Sequence, residues 1–164
     1  MEENQNNVTF LYPCKVTAEC EVTGFSGMII CRKELINGSV QYGIQPRSKE
    51  DSDYVVDAKS IDEGYLIRVE RSDEKVPFKF DCGEKVKNKI NGFVGTIIER
   101  RQWANGCIQY IVEAEMVKTD LQGYVRQESK SWEQELEIEQ GEKVVVKKSR
   151  TGGETTSFSA FNGC

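Results

Sequence analysis

Residues 24–44, GFSGMIICRKELINGSVQYGI, decide the fold, because residues 92–112 repeat them as GFVGTIIERRQWANGCIQYIV. The copies stand 68 positions apart (92 − 24) with no gap. Gly24-Phe25, Gly27, Ile29-Ile30, Arg32, Asn37-Gly38 and Gln41-Tyr42 return as Gly92-Phe93, Gly95, Ile97-Ile98, Arg100, Asn105-Gly106 and Gln109-Tyr110. Upstream, Val8, Phe10 and Cys14 return as Val76, Phe78 and Cys82. The chain is a tandem duplication, and a repeat of this kind constrains fold more than any short motif.

Within each copy the apolar stretches read as strands. Val16, Ala18, Cys20 and Val22 alternate with polar residues, a period of two. A Gly24-to-Gly27 turn follows, then a run from Met28 to Ile36 and, beyond Asn37-Gly38, another from Ser39 to Gln45. Asn-Gly between two such runs is the strongest short hairpin signal, since both central residues of a type I′ turn take positive φ. Read as a two-residue loop, it sets Leu35 opposite Val40, Lys33 opposite Tyr42 and Cys31 opposite Ile44. That register gives a core face of Ile29, Cys31, Lys33, Leu35, Val40, Tyr42 and Ile44, with Arg32 and Gln41 on the outer face. In the second copy Arg101, Trp103 and Tyr110 fall on the core face, and Arg100 and Gln109 on the outer one.

Residues 46–57 and 116–131 read as polar loops and 71–77 as a linker. Residues 65–70 and the stretch around Leu136 and Ile138 read as closing strands. Residues 141–148 read as one more strand, because Gly141-Glu142-Lys143-Val144 echoes Gly83-Glu84-Lys85-Val86. No amphipathic helix is expected beyond a turn or two over residues 128–135. The predicted fold class is all-β: two tandem small antiparallel β-barrels over residues 1–71 and 76–148, then a flexible tail at 149–164 rich in Gly, Ser and Thr. Units this small have thin cores, so they should pack on each other or the chain should form a homodimer.

The 164 residues carry 22 Lys and Arg against 27 Asp and Glu, a net charge of −5. That balance disfavours non-specific binding to nucleic acid, which requires a concentrated positive surface. It suits an acidic binder of basic proteins. No apolar run is long enough to span a bilayer and the start, Met1 to Asn7, is polar, so the expectation is a cytosolic protein without a membrane partner. The six cysteines, Cys14, Cys20, Cys31, Cys82, Cys107 and Cys164, then read as reduced thiols. They contain no C-x-x-C pair, and there is no histidine, which leaves no expected zinc site and no Ser-His or Cys-His nucleophile. No carboxylate pair recurs and no Gly-rich phosphate loop precedes a helix. A binding protein is expected rather than an enzyme, with no cofactor.

The candidate ligand-binding residues are Arg32, Gln41 and Phe25, with Arg100, Gln109 and Phe93 as their repeats. Packing explains Tyr42 and Tyr110, and backbone geometry explains the glycines. An exposed Arg/Gln pair as mere surface contributes only about 0.2–1 kcal/mol. As a site, Arg offers its planar fork to phosphate or carboxylate and Gln reads a base edge. Phe25 and Phe93, at glycine-flanked turns, either plug a barrel end or stack on a ring.

The pattern Gly-Phe-x-Gly-x-Ile-x-x-Arg…Asn-Gly-x-x-Gln-Tyr resembles the unit of a family of small phage and prophage proteins of unassigned function. The run from Lys87 to Ile97, followed by Trp103, Asn105-Gly106, Cys107, Ile108 and Gln109-Tyr110, carries the likeness, and Thr151-Gly152-Gly153 in the tail is also similar. The Gly-x-x-Gly core resembles KOW and Tudor-like barrels as well. The chain departs from that family by doubling the unit and in the loop after Gln45. The resemblance implies a phage accessory protein in the host cytoplasm that counters anti-phage defence. One route is sequestering a nucleotide-derived immune signal, of cyclic-nucleotide or ADP-ribose type. The alternative is an interaction module that inhibits a host protein through exposed strand edges and the loops at 46–57 and 116–131. A KOW-like nucleic-acid binder is disfavoured by the net charge.

Overall fold

The computed structural model describes residues 6–47, 56–114, 117–118, 124–125, 127–146, 148–150 and 157–158. The first copy supplies β1 (Asn7–Phe10), β2 (Thr17–Cys20), β3 (Ser26–Leu35), β4 (Val40–Gln45), β5 (Ala58–Asp62) and β6 (Leu66–Ile67). The second supplies β7 (Glu74–Pro77), β8 (Lys85–Asn88), β9 (Val94–Trp103), β10 (Ile108–Glu113), β11 (Val117–Lys118), β12 (Tyr124–Val125), β13 (Glu128–Trp132) and β14 (Leu136–Ile138), and β15 (Ser157–Phe158) follows. The fold is all-β, and every strand pairing among the described residues is antiparallel. No helix of the described residues is long and apolar enough to cross a membrane.

Each copy repeats one topology. β2, β3, β4 and β5 form a meander; a 3-10 turn at Glu63–Tyr65 follows, and β6 returns to pair with β2. In the second copy β8, β9, β10 and β13 do the same, with a 3-10 turn at Glu133–Glu135 and β14 returning to β8.

The two copies are not separate sheets. β3 pairs with β9, so one sheet runs β13-β10-β9-β3-β4-β5-β15 through both. Lys33 lies opposite Arg101, its own repeat equivalent, and β1 pairs with β7 so that Val8 meets its equivalent Val76. Antiparallel pairing of a residue with its own equivalent is the signature of a two-fold axis. A pseudo-dyad therefore relates the copies. Phe10 and Phe78, also equivalents, meet edge to face at 6.4 Å, and one core unites Phe10, Tyr42 and Ile44 with Phe78, Tyr110 and Val112. Neither thin unit has to close a core alone.

The hairpin register differs from the two-residue reading. Leu35 N donates to Ser39 O and Gly38 N to Leu35 O, so residues 36–38 form a three-residue loop; Trp103, Cys107 and Gly106 repeat this. Gly38 has φ +86° and Gly106 +88°, while no positive φ occurs at Asn37 or Asn105. This is a type I turn closed by a bulge glycine, and the asparagine accepts from the residue after that glycine. The extra loop residue slips the pairing by one. Arg32 now faces Tyr42 on the core side, and Lys33 faces Gln41 on the other. In the second copy Arg100 faces Tyr110, and Arg101 faces Gln109.

Other expectations change too. Glu74–Pro77, read as linker, is strand β7, held by its dyad partner β1. Residues 128–132, read as loop or helical turn, are strand β13 against β10. Ser149 and Arg150, read as flexible tail, are bonded to Asn37 and Val40, and β15 pairs with β5. Residues 48–55, most of the first polar loop, lie outside the described residues, as do most of 115–126 and the family-like Thr151-Gly152-Gly153. Cys14, Cys20, Cys31 and Cys82 are free thiols, but Cys107, partly exposed at its hairpin tip, is disulfide-bonded rather than reduced.

Candidate functional site

Arg32 and Arg100 do not face solvent; they clamp the seam between the copies. Arg32 donates from Nε and Nη2 to Gln102 Oε1 (3.0 and 2.7 Å), from Nη2 to Glu74 Oε2 (2.8 Å) and from Nη1 to Tyr12 O (3.2 Å). Arg100 donates from Nε and Nη2 to Glu34 Oε1 (3.1 and 2.9 Å) and from Nη1 to Phe80 O (3.0 Å), with Asp81 Oδ1 at 3.4 Å. The guanidinium carbons lie 5.1 Å over Phe10 and 5.0 Å over Phe78. Glu34 and Gln102 are repeat equivalents, as are Tyr12 and Phe80 (offset 102 − 34 = 80 − 12). Each arginine thus reaches across the dyad to the other copy, a charge-assisted fork used internally. This corrects the outer-face assignment of both.

Tyr42 and Tyr110 complete each clamp. Tyr42 Oη donates to Glu63 Oε2 (2.9 Å) and accepts from Tyr12 N; Tyr110 Oη donates to Glu133 Oε2 (2.5 Å) and accepts from Phe80 N. Burial first, then the neighbouring carboxylates, push both phenols well above their ordinary pKa.

Gln41 and Gln109 lie on the opposite sheet face from the clamps, and they too are buried. The pairings set Asp62, Gln41, Lys33, Arg101, Gln109 and Trp132 in one row across six strands. Glu99 is within 3.4 Å of Lys33 and pairs with Arg101. Burial alone would raise the Glu99 carboxyl, but the two cations outweigh it and hold it below its usual range. Burial lowers Lys33 despite Glu99. Lys33, Gln41, Asp62, Arg101 and Trp103 are all engaged in interactions.

Phe25 and Phe93 are half-buried against the core, as a plug would be, and Lys59 Nζ sits 4.7 Å over the Phe25 ring. Of the recurring cysteines, Cys82 is buried and Cys14 partly buried against the core, and desolvation pushes Cys14 up to about 11 and Cys82 up to about 12.

Two clefts lined by described residues, one per copy, are open to a ligand. The larger, about 500 Å³, is lined by Lys85, Val94, Gly95, Glu113, Ala114 and Val144 among others; the smaller, about 370 Å³, by Thr17, Ser26, Gly27, Pro46 and Arg47. Lys85, Val94, Gly95 and Ala114 are the repeat equivalents of Thr17, Ser26, Gly27 and Pro46. The glycines fix the shape: a Cβ on Gly27 would lie 2.2 Å from Gln45 O, and one on Gly95 2.4 Å from Glu113 O. Both clefts sit where β4 and β10 give way to the long polar segments. The sequence signal was present in the repeated second glycine, but its tertiary contact with β4 was not legible. No protein-family model, curated protein or solved structure matches the chain.

Proposed function

We propose that the chain is a non-enzymatic interaction module with one docking cleft in each copy, and that its partner is a protein segment. One observation carries the reading. The repeated Arg and Gln side chains are used inside the molecule, while the equivalent cavities open at the roots of the two long polar segments. We read each copy as a small barrel of the KOW or Tudor kind, supported by the return of β6 to β2 and of β14 to β8. In the phage context that the sequence resembles, such a module would occupy a host defence protein in the cytoplasm.

A second reading, sequestration of a nucleotide-derived signal, is favoured by the volume of the larger cleft, which falls within the range of small-molecule sites. Its phosphate contacts would then be Lys85 in one cleft and Arg47 in the other, not Arg32 and Arg100. Native mass spectrometry with a panel of cyclic dinucleotides and ADP-ribose derivatives separates the two. A retained, unmodified nucleotide supports sequestration and sinks the docking reading. A bare chain across the panel, followed by host-protein capture that Ala114→Arg or Pro46→Arg abolishes, supports docking.

A further inference from the structure

Residues 141–146 lie against the second copy, and residues 148–150 lie against the first. At one end Val144 N donates to Gly83 O (2.9 Å). At the other, Val40 N donates to Arg150 O (3.2 Å), and Arg150 pairs with Glu63 at 2.6 Å and donates to Thr9 O at 2.8 Å. Between them Lys143 Nζ lies 2.6 Å from Asp81 Oδ2 and Lys148 Nζ 4.0 Å from Asp81 Oδ1. Every described residue from Gly141 to Arg150 is exposed, Val145 by 87%. The segment's described residues are held by backbone bonds and by cations with wet ends, and none of them is a buried apolar anchor. Its Gly141, Glu142 and Val144 form one wall of the larger cleft.

We propose that residues 141–146, together with Lys148, are an ionic latch that forms one wall of the second-copy cleft and widens it for a docking partner when Lys143 and Lys148 leave Asp81. The inference rests on the docking reading of that cleft. Ion pairs whose lysine ends are half exposed are individually weak and screened by salt, so this segment opens far more readily than the shared sheet. Release at Asp81 does not strand a buried charge, because Asp81 keeps Arg100 at 3.4 Å and Arg150 stays paired with the buried Glu63. Burial would raise the Asp81 carboxyl, but Lys143, Arg100 and Lys148 outweigh it and hold it below its ordinary range, so the latch carboxylate is charged at neutral pH.

Hydrogen exchange of the full chain, read by mass spectrometry, tests the latch without any ligand. In the double variant Lys143→Gln/Lys148→Gln, or in roughly 1 M NaCl, exchange at Val144 should rise roughly three- to tenfold while β3 and β9 stay protected. A cysteine placed on the cleft wall (Thr96→Cys, or Val94→Cys if the first folds poorly) should react correspondingly faster with N-ethylmaleimide. Lys130→Gln, an exposed change on β13, should alter neither. Unchanged exchange and labelling in the double variant and in high salt overturn the latch. They would leave the docking reading standing, since that is judged by partner capture.

Discussion

The Arg100 side chain is 4% exposed, and the carboxylates beside it, Glu34 and Asp81, are 14% and 18% exposed. Truncating it leaves the Glu34 carboxylate with little water to solvate it, while Asp81 keeps Lys143, and breaking a buried pair typically costs about 3–5 kcal/mol. Arg32 is as buried, but its acid, Glu74, is 54% exposed and can turn to solvent. Arg100→Ala should therefore lower unfolding stability by about 3 kcal/mol and Arg32→Ala by visibly less, as measured by urea denaturation. Equal, negligible losses would mean that neither clamps the seam. Titration adds a second signature. The folded state raises the Tyr42 and Tyr110 pKa values, so their contribution is full below the unfolded value of about 10 and is lost as pH rises through the folded values. It depresses Glu99, whose contribution is present above the unfolded value of about 4.3 and is lost as pH falls through the lower folded value. Glu99→Gln should flatten the acid limb of a stability–pH curve and leave the alkaline limb in place; an unchanged acid limb would remove Glu99 from the account.

At the scale of the elements, the two hairpins were legible but their register was not. Asn-Gly marks a turn in either geometry, yet only the positive φ of Gly38 and Gly106, with Asn37 and Asn105 outside that region, selects the three-residue loop. Hydrophobic alternation could not arbitrate, because Arg32-Lys33 and Arg100-Arg101 place a cation on each face whichever way the strand slips. Both faces are buried as well, which removes the usual polar/apolar contrast. The slip moved the arginines from the expected site into the seam. Phe25 and Phe93 kept their turn positions because the flanking glycines set them locally. The clefts depend on β3 crossing close under the end of β4, so Gly95→Ala, whose Cβ meets a backbone carbonyl, should cost about 2–3 kcal/mol. Thermal unfolding checks this, and an unshifted transition would show that β9 and β10 part easily there.

Across the whole molecule, the repeat has built a covalent pseudo-dimer. β3 and β9 meet through Lys33 and Arg101, β1 and β7 through Val8 and Val76, and the arginine clamps cross between them. The sequence showed two copies but not their relation, since strand pairing between the copies leaves no mark in either copy alone. The dyad also puts the two clefts at opposite ends of the shared strands. Nine residues separate Gly24 from Lys33 (33 − 24), so at about 3.3 Å per residue each turn lies no more than about 30 Å from the axis. Sequence composition pointed to binding over catalysis, while the cavities were visible only in three dimensions.

Native-state hydrogen exchange of β3 and β9 in graded denaturant tests the shared sheet most directly. A single cooperative body predicts that amides around Lys33 and Arg101 open together, with one free energy equal to that of global unfolding. Separate openings, with β9 losing protection while β3 keeps it, would contradict the pseudo-dimer and restore two independent units.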